Sequence, residues 1–495
     1  MSSALLYQWL FLRLSARFTL PFLIAAAGLL GLAFPPLARS AVASLPPLLA
    51  AIAVLALLIA ALVLSLWIAA AAYRLAPPRP AAWFRPPGGT PRNASTAAGL
   101  GRYSRIGVIL AGGGAKGAYQ AGALAAIHGF LAEREALGNV RMLAATSVGA
   151  WNACFWLAGM VSDEPEGPLE RWWSELRLSE VVAPTWYLPA GRNYVLSADP
   201  WRQAFRTLFR DHAAARERLE SVMRDPDAPD SLRFYLTRTN VERAHLEFST
   251  NRPDLVDIEN VSGQRRPLEP PDRWTRARTL EDLEQAVFAS MDMPPLFEYV
   301  RIGDETFEDG GVVDNLPIYF GTGIEKCDLL FVLPLNASFA SGVERRWILR
   351  RMQRVLTIRQ GALERKALKD VYLYNELAAL RGRLAAGAPS RRPLPVDPAP
   401  AGSEAALDES ASRELDERAA GRVHHPVQIF AICPDEPLGI DTLEFWKRRE
   451  AGRAFRLMRE HTRYELERFD FDAAPNWIRV ALVGPSGEVR YLEDF

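Results

Sequence analysis

Residues 140–159 read VRMLAATSVGAWNACFWLAG, and this stretch decides the fold. Its first residues form a short apolar run typical of a buried strand, and a helix rich in alanine, tryptophan and phenylalanine follows. Ser147 stands where the strand ends, and Gly149 follows two residues later. Ester hydrolysis needs a nucleophile raised on such a sharp strand-to-helix turn. Ala145 replaces the first glycine of the usual G-x-S-x-G pattern, so this motif alone is weak evidence.

A glycine-rich loop precedes this unit. Residues 106–133 read IGVILAGGGAKGAYQAGALAAIHGFLAE, which predicts a strand, a glycine loop and a helix. Gly112, Gly114 and Gly117 give the spacing G-x-G-x-x-G, which is also found in dinucleotide-binding sites. Lys116 inside the motif weighs against that reading, as does the serine turn at the end of the next strand, where a ribose-binding acid is expected. Closely approaching glycine amides equally suit an oxyanion hole.

A candidate base follows much later in the chain. Residues 307–318 read FEDGGVVDNLPI, with Asp309 directly before Gly310 and Gly311. A carboxylate before a tight glycine turn is by itself a common structural feature. However, a serine without a suitable histidine needs another base, and a carboxylate can serve. The six histidines, none of which stands in a triad motif, are His128, His212, His245, His424, His425 and His461.

Further apolar runs predict additional strands of the same sheet. Residues 329–335 and 427–433 read as additional strands, and strands that alternate with helices favour a largely parallel sheet covered on both faces. Residues 345–384 read as a long helical region with arginines between apolar side chains. That region is compatible with an anionic membrane surface or with an ordinary solvated helix.

Two apolar stretches near the amino terminus have the length of transmembrane helices. They span residues 18–37 and 48–72, and the second contains no ionisable side chain. Arginines flank the pair on both outer sides, so the positive-inside rule predicts a hairpin with both ends in the cytoplasm. Alternatively, the first stretch is a cleaved signal peptide, and the second helix would still leave the remaining chain inside.

These features divide the chain into five parts. They are a membrane anchor over 1–73, a Pro/Gly-rich linker over 74–103, a catalytic domain over 104–385, a disordered insertion over 386–422, and a completion of the same domain over 423–495.

Composition excludes some functions. The 58 basic and 58 acidic residues balance, which gives no electrostatic reason to expect a nucleic-acid partner. Cys154, Cys327 and Cys433 lie far apart and show no metal-ligand spacing, so we expect neither a disulfide framework nor a zinc site. The excess of arginine and alanine over lysine is typical of GC-rich bacterial coding.

The glycine loop, the serine turn and the Asp-Gly-Gly segment, in this order, resemble the patatin-like phospholipase family. The phrases ASMDMPPLF (289–297) and VQIFAICPDEPLGIDTLEF (427–445) are similar to the segment before the family's aspartate and to its closing strand. The resemblance runs from about Ser104 to about Glu465. It implies a three-layer α/β/α fold around a mainly parallel central sheet, here preceded by the transmembrane hairpin.

The resemblance also implies roles for individual residues. Ser147 would be the nucleophile and Asp309 its base in a Ser-Asp dyad, without a metal or cofactor. The remaining motif positions, which would supply oxyanion amides, the family's basic side chain and turn glycines, are Gly112, Gly113, Gly114, Lys116, Gly117, Gly149, Gly310 and Gly311.

Together these features predict a serine acyl hydrolase that cleaves fatty acyl esters of membrane phospholipids or lysophospholipids. We expect it at the bacterial inner membrane, with the catalytic domain on the cytoplasmic side. The alternative is a catalytically inactive lipid-binding or scaffold protein of the same fold, and Ser147 and Asp309 argue against it.

Overall fold

A computed structural model describes residues 100–184, 194, 196–224, 231–252, 273–294, 296–336, 348–387, 426–435, 440–472, 478–484 and 489–491. The two predicted transmembrane helices and nearly all of the predicted linker and insertion lie outside these ranges. Within them, no helix combines the length and apolar character that a bilayer crossing requires.

The described chain alternates strands and helices. The strands are β1 (Ile106–Leu110), β2 (Val140–Ala145), β3 (Ala183–Pro184), β4 (Leu196–Ser197), β5 (Arg233–Asn240), β6 (His245–Thr250), β7 (Arg273–Arg276), β8 (Val300–Ile302), β9 (Glu305–Asp309), β10 (Leu329–Leu333), β11 (Gln428–Pro434), β12 (Ile478–Val483) and β13 (Val489–Tyr491). The helices are α1 (Gly117–Glu133), α2 (Val148–Leu157), α3 (Pro168–Glu175), α4 (Asp199–Phe205), α5 (Ala213–Arg224), α6 (Leu280–Met291), α7 (Ile348–Gly387) and α8 (Arg448–Arg468).

The large sheet has the strand order β13-β12-β11-β10-β1-β2-β5-β6-β7, with β9 paired to β5 and β8 paired to β9. From β12 to β5 all neighbouring strands are parallel. Antiparallel pairs occur where β13, β6, β9 and β8 join. The predicted α/β class is confirmed, and the sheet as a whole is mixed, with a parallel centre and antiparallel additions.

Side chains along the central strands point alternately to the two faces of the sheet, and each face carries an apolar layer. In β1, Val108 and Leu110 belong to one buried cluster, whereas Ile109 and the following Ala111 belong to the other. Successive side chains of a strand point to opposite faces, so the sheet has a core on each side. Helices α1, α2 and α8 contribute to the first cluster, and α7 contributes to the second.

Helices α1 and α8 approach each other closely. A Cβ atom on Gly122 would lie 2.0 Å from the carbonyl oxygen of Phe455. Because a real Cβ cannot occupy that position, the glycine sets the distance between the two helices. The aromatic and aliphatic side chains of both helices close the core around this contact.

Helix α7 covers the opposite face, and it matches the helical region predicted over 345–384. Leu368 and Val371 are buried against the sheet. Asn375 accepts a hydrogen bond from the Val427 amide at 3.1 Å and donates one to its carbonyl at 2.7 Å. The amide side chain therefore replaces a backbone partner beside β11 and fixes the register of α7.

The aromatic residues that follow the serine turn pack in the core. Trp151 lies 4.8 Å from Trp172 and 5.4 Å from Trp201 between ring centroids. Phe155 and Phe209 meet edge to face at 5.2 Å. Such rings bury large apolar areas, so their main contribution is to the stability of the layer behind α2.

We predict that Gly122→Ala destabilises the protein, because the new methyl group would overlap the Phe455 carbonyl. The expected cost is about 1–3 kcal/mol of unfolding free energy, as for other overpacked positions. Gly138→Ala is the matched control, since an added Cβ there meets nothing within 4 Å. Thermal or denaturant unfolding measures both, and equal stability of the two variants would contradict the packing argument.

Candidate active site

Ser147 occupies a strained turn between β2 and α2. Its backbone has φ 54° and ψ −129°, a conformation that residues with side chains rarely adopt. The amide of Ser147 donates to Ser290 Oγ at 2.9 Å, and the preceding Thr146 amide donates to the Leu110 carbonyl at 3.0 Å. These bonds hold the serine where the strand ends, as the sequence predicts.

The glycine two residues later is required by close packing. A Cβ on Gly149 would lie 2.5 Å from the Leu110 carbonyl oxygen, so α2 can approach β1 only without a side chain there. Ala145, which replaces the first glycine of the motif, is fully buried in the core. Its methyl group is accommodated, and the sharp turn forms despite the substitution.

Asp309 lies at the end of β9 beside the serine. Its amide donates to the Asp292 carbonyl at 2.9 Å, and its Oδ1 accepts from the Gly311 amide at 2.7 Å. The Ser147 hydroxyl lies near enough to the same carboxylate to lower its pKa. The turn from Gly310 to Val312 follows directly, with Asp309 capping it. The structure therefore brings together the serine and the aspartate that the sequence singles out.

Burial raises the pKa of Asp309 to about 6. The nearby Ser147 hydroxyl and the hydrogen bond from the Gly311 amide oppose this rise because they favour the ionised form, and the charge of Glu308 adds to it. The carboxylate is 7% exposed. At neutral pH it is largely ionised, with a pKa closer to neutrality than that of an exposed aspartate, as a general base requires.

The glycine-rich loop follows β1 on the same edge of the sheet. Within the described ranges, the amides of Gly113 and Gly114 have no acceptor, and Gly114 has φ +58°. The Gly112 amide already donates to the Asn315 carbonyl over a long 3.4 Å. The amide of Val148, directly after the serine, likewise has no acceptor in the described chain. Free amides of this kind suit an oxyanion hole.

A buried network of hydrogen bonds holds the glycine-rich loop in place. Asn315 Nδ2 donates to the Gly112 carbonyl at 3.0 Å and to Glu364 Oε1 at 2.5 Å. Asn336 donates to Glu364 through its backbone amide and through Nδ2, both at 2.9 Å. Lys116 Nζ donates to Asn336 Oδ1. Because Glu364 belongs to α7, the helix on the far face is connected to the candidate oxyanion loop.

Two of these groups have shifted pKa values. Burial raises the pKa of Glu364, against the hydrogen bonds from Asn336 and Asn315 and the charge of Lys116. Burial lowers the pKa of Lys116, against the charges of Asp441 and Glu364. Both ions lie away from water, so each depends on the network for its partners.

The remaining motif glycines and the other titratable groups have structural positions. Gly117 begins α1, and Gly310 and Gly311 form the turn after Asp309. His128 packs edge-on against Trp156 at 4.9 Å, and burial lowers its pKa to about 4. The free thiols Cys154, Cys327 and Cys433 are buried, and burial raises their pKa values.

Comparison with known proteins now identifies the domain. The model of the family described as "Patatin-like phospholipase" matches residues 108–320. Residues 108–320 are therefore similar to a patatin-like phospholipase domain. Among solved structures, it is similar to the crystal structure of VipD from Legionella pneumophila, with 14% identity and a TM-score of 0.31 over 77% of this chain and 71% of that one. No curated protein matches the chain.

At the level of the family, the patatin-like domain is of the lipid acyl hydrolase type. The described geometry adds residues to it that motif reasoning missed. Ser290 lies inside the quoted phrase ASMDMPPLF, and Asn315 lies inside FEDGGVVDNLPI, so a closer reading of both phrases could have found them. Glu364 carries no local signal, because its role depends on how α7 packs on the sheet.

We predict that Glu364→Gln lowers kcat of ester hydrolysis by the patatin-like domain roughly tenfold, with a smaller change in KM. A glutamine can accept only through one oxygen, so one of the Asn336 or Asn315 donors loses its partner and the Gly112 loop shifts. Steady-state kinetics on a short-chain ester measure the effect.

Asp370→Asn is the control for that experiment, because Asp370 lies on α7 but pairs with the exposed Lys366 and not with the network around the Gly112 loop. Its kinetics should match the wild type. A Glu364→Gln variant with reduced stability but unchanged kcat would show that the network is structural and does not position the loop.

Proposed function

We propose that this protein is a serine acyl hydrolase that cleaves fatty acyl esters of membrane phospholipids or lysophospholipids, with Ser147 as nucleophile and Asp309 as base. The observation that carries the proposal is that the Ser147 hydroxyl, at the strained turn, lies near enough to the buried Asp309 carboxylate to favour its ionised form. Strained backbone of this kind is concentrated at functional sites.

In the proposed first half-reaction, Ser147 Oγ attacks the ester carbonyl carbon while its proton moves to Asp309. The carbonyl oxygen becomes an oxyanion, and the amides of Gly113 and Gly114 donate to it. As the tetrahedral intermediate collapses, the protonated Asp309 returns its proton to the departing alcohol oxygen. The products of this step are an acyl ester of Ser147 and a free alcohol, here the lysophospholipid or glycerophospho compound.

The second half-reaction repeats these steps with water. Asp309 removes a proton from a water molecule, and the resulting nucleophile attacks the acyl carbon. The same amides stabilise the second oxyanion. The bond to Ser147 Oγ then breaks, the proton on Asp309 returns to that oxygen, and the fatty acid leaves.

We also propose that residues 18–37 and 48–72 anchor the protein in the bacterial inner membrane with the patatin-like domain on the cytoplasmic side. The charge distribution around the two stretches supports this orientation. An enzyme tethered to a bilayer meets acyl lipids at high local concentration, which supports a membrane lipid as substrate.

We predict that Ser147→Ala and Asp309→Asn each lower fatty acid release from mixed phospholipid vesicles by at least about a thousandfold. The first variant lacks the nucleophile, and the second lacks a group that can accept its proton. Detergent-solubilised full-length protein is assayed by quantifying free fatty acid. Asp304→Asn is the control, since Asp304 is exposed in the turn between β8 and β9.

Release that persists in both variants would overturn the dyad. No release by the wild type from any of several lipids, or from a simple fluorogenic ester, would instead favour a lipid-binding protein without turnover.

We predict that kcat/KM for a soluble ester falls below about pH 6, because protonated Asp309 cannot act as a base. The decrease should approach about tenfold per pH unit on the acid side. Glu308→Gln removes a charge that raises the Asp309 pKa, so the midpoint of the kcat/KM profile of this variant should lie at a lower pH than that of the wild type. A profile that is flat through this range would contradict the assignment of Asp309.

A further inference from the structure

A small cavity lies beside the dyad and has no role in the reaction described above. Its volume is about 70 Å³, and its lining includes Trp201, Arg202, Phe288, Asp292, Glu298 and Tyr299. Asp292 connects the cavity to the site, because its carbonyl accepts the Asp309 amide at 2.9 Å. Two residues earlier, Ser290 Oγ accepts the Ser147 amide.

The carboxylate of Asp292 is unsatisfied. The residue is 4% exposed, and neither Oδ1 nor Oδ2 has a hydrogen-bond donor in the described chain. Trp201 Nε1, which belongs to the same lining, likewise lacks an acceptor there. Buried polar groups are nearly always paired, so an orphaned acceptor and an orphaned donor around one cavity point to a polar ligand.

The electrostatic surroundings of Asp292 favour a cation. The residue directly follows the last residue of α6, where the free carbonyl groups carry a partial negative charge that stabilises cations and destabilises carboxylates. Burial raises the pKa of Asp292 to about 8, and the charges of Glu308 and Asp309 add to this, against the charge of Arg202 and the nearby Val300 amide. Asp292 is therefore mainly protonated when the cavity holds no cation, and a cation would favour its ionised form.

Aromatic rings complete the cavity. Trp201, Phe288 and Tyr299 contribute to its lining, and ring faces attract ammonium groups. The guanidinium of Arg202 already lies 4.4 Å from the centroid of the Phe288 ring. The lining carries one basic side chain, Arg202, and three acidic ones, Asp199, Asp292 and Glu298. Asp199 and Glu298 are exposed, whereas Asp292 is buried without a hydrogen-bond donor in the described chain, which matches a ligand with a cationic group next to an anionic one.

The size of the cavity and the number of possible metal-binding side chains around it narrow the class of cation that it can bind. The volume is about half of that of an apolar cavity of roughly 150 Å³ that binds benzene, which favours a small cationic group such as a primary ammonium. Among the described residues, no group of three or more His, Cys, Asp or Glu side chains could hold a metal ion. A primary ammonium, with three donors, fits a single unpaired carboxylate.

We propose that this cavity binds the ammonium group of an ethanolamine phospholipid, with Asp292 accepting its N–H bonds and Arg202 and Trp201 facing the phosphate. This inference rests on the proposed function and names the head group of its substrate. When the ammonium binds at neutral pH, the Asp292 carboxyl group releases its proton to solvent, and the resulting carboxylate pairs with the ligand.

The first test compares hydrolysis of phosphatidylethanolamine and phosphatidylglycerol in otherwise identical phosphatidylcholine vesicles. A charge-assisted hydrogen bond predicts that the wild type prefers the ethanolamine lipid by about tenfold or more. Asp292→Asn, which keeps the size but removes the charge, should reduce this ratio to within about threefold, whereas the surface control Asp304→Asn should keep it. The ratio of the two rates is the readout, so a general loss of activity does not imitate the result.

The second test does not require turnover. Full-length Ser147→Ala is titrated calorimetrically with glycerophosphoethanolamine, glycerophosphocholine, glycerophosphoglycerol and free ethanolamine, in buffers of different ionisation enthalpy. We expect binding of the first compound at least about tenfold tighter than that of the other three, together with proton release near neutral pH. Adding Asp292→Asn should abolish both the selectivity and the proton release.

The outcomes separate the two proposals. Lipid hydrolysis without an ethanolamine preference, or a preference that Asp292→Asn leaves intact, overturns the head-group inference and leaves the dyad standing. Free ethanolamine that binds as tightly as glycerophosphoethanolamine overturns the lipid head group in favour of a small-amine site. Selective, proton-linked binding of glycerophosphoethanolamine by a protein that hydrolyses no lipid would retain the head-group site and refute the proposed hydrolase.

Discussion

The strained turn at Ser147 is the constraint on which the site depends. A residue held at φ 54° and ψ −129° costs about 1–3 kcal/mol, so the surroundings must over-determine it. The Thr146 amide is bound to the end of β1, the Ser147 amide is bound to α6 through Ser290, and Gly149 lets α2 pack directly on β1. Contacts to three separate elements, β1, α6 and α2, therefore stabilise the strained conformation that exposes the Ser147 hydroxyl group.

Burial of the Asp309 carboxylate also destabilises the folded protein. The difference between the usual 3.8 and about 6 for the pKa of Asp309 corresponds to roughly 3 kcal/mol against the ionised form. Because the folded-state pKa is raised, the stability that the neutral carboxyl group contributes is lost as the pH rises through about 6. At this one group, folding is therefore favoured by the protonated form, whereas the proposed reaction requires the ionised form, which is a common conflict between activity and stability.

Local patterns in the sequence account for much of the fold but not for the assembly of the site. The strands β1, β2, β10 and β11 and the turns after β1 and β2 follow from apolar runs that end in glycine or serine. The position of Asp309 beside Ser147 depends on β9 pairing antiparallel with β5, with Asp309 opposite Arg238. That register involves residues about seventy positions apart, and side-chain periodicity within a segment cannot specify it. The order of the motifs predicts that Ser147 and Asp309 act together, and the pairing of β9 with β5 explains why the two side chains lie close to each other.

Asp309 and Asp292 show how one backbone link can join two carboxyl groups with different tasks. Asp309 accepts a hydrogen bond from the Gly311 amide and lies near the Ser147 hydroxyl, both of which favour its ionised form, whereas the Asp292 oxygens have no donor among the described residues. The two environments therefore separate the pKa values, to about 6 and about 8. An ionised, unpaired Asp292 would raise the proton affinity of the neighbouring base. Protonation of Asp292, or a bound cation, removes that repulsion, so the state of the cavity and the state of the base are coupled through charge alone.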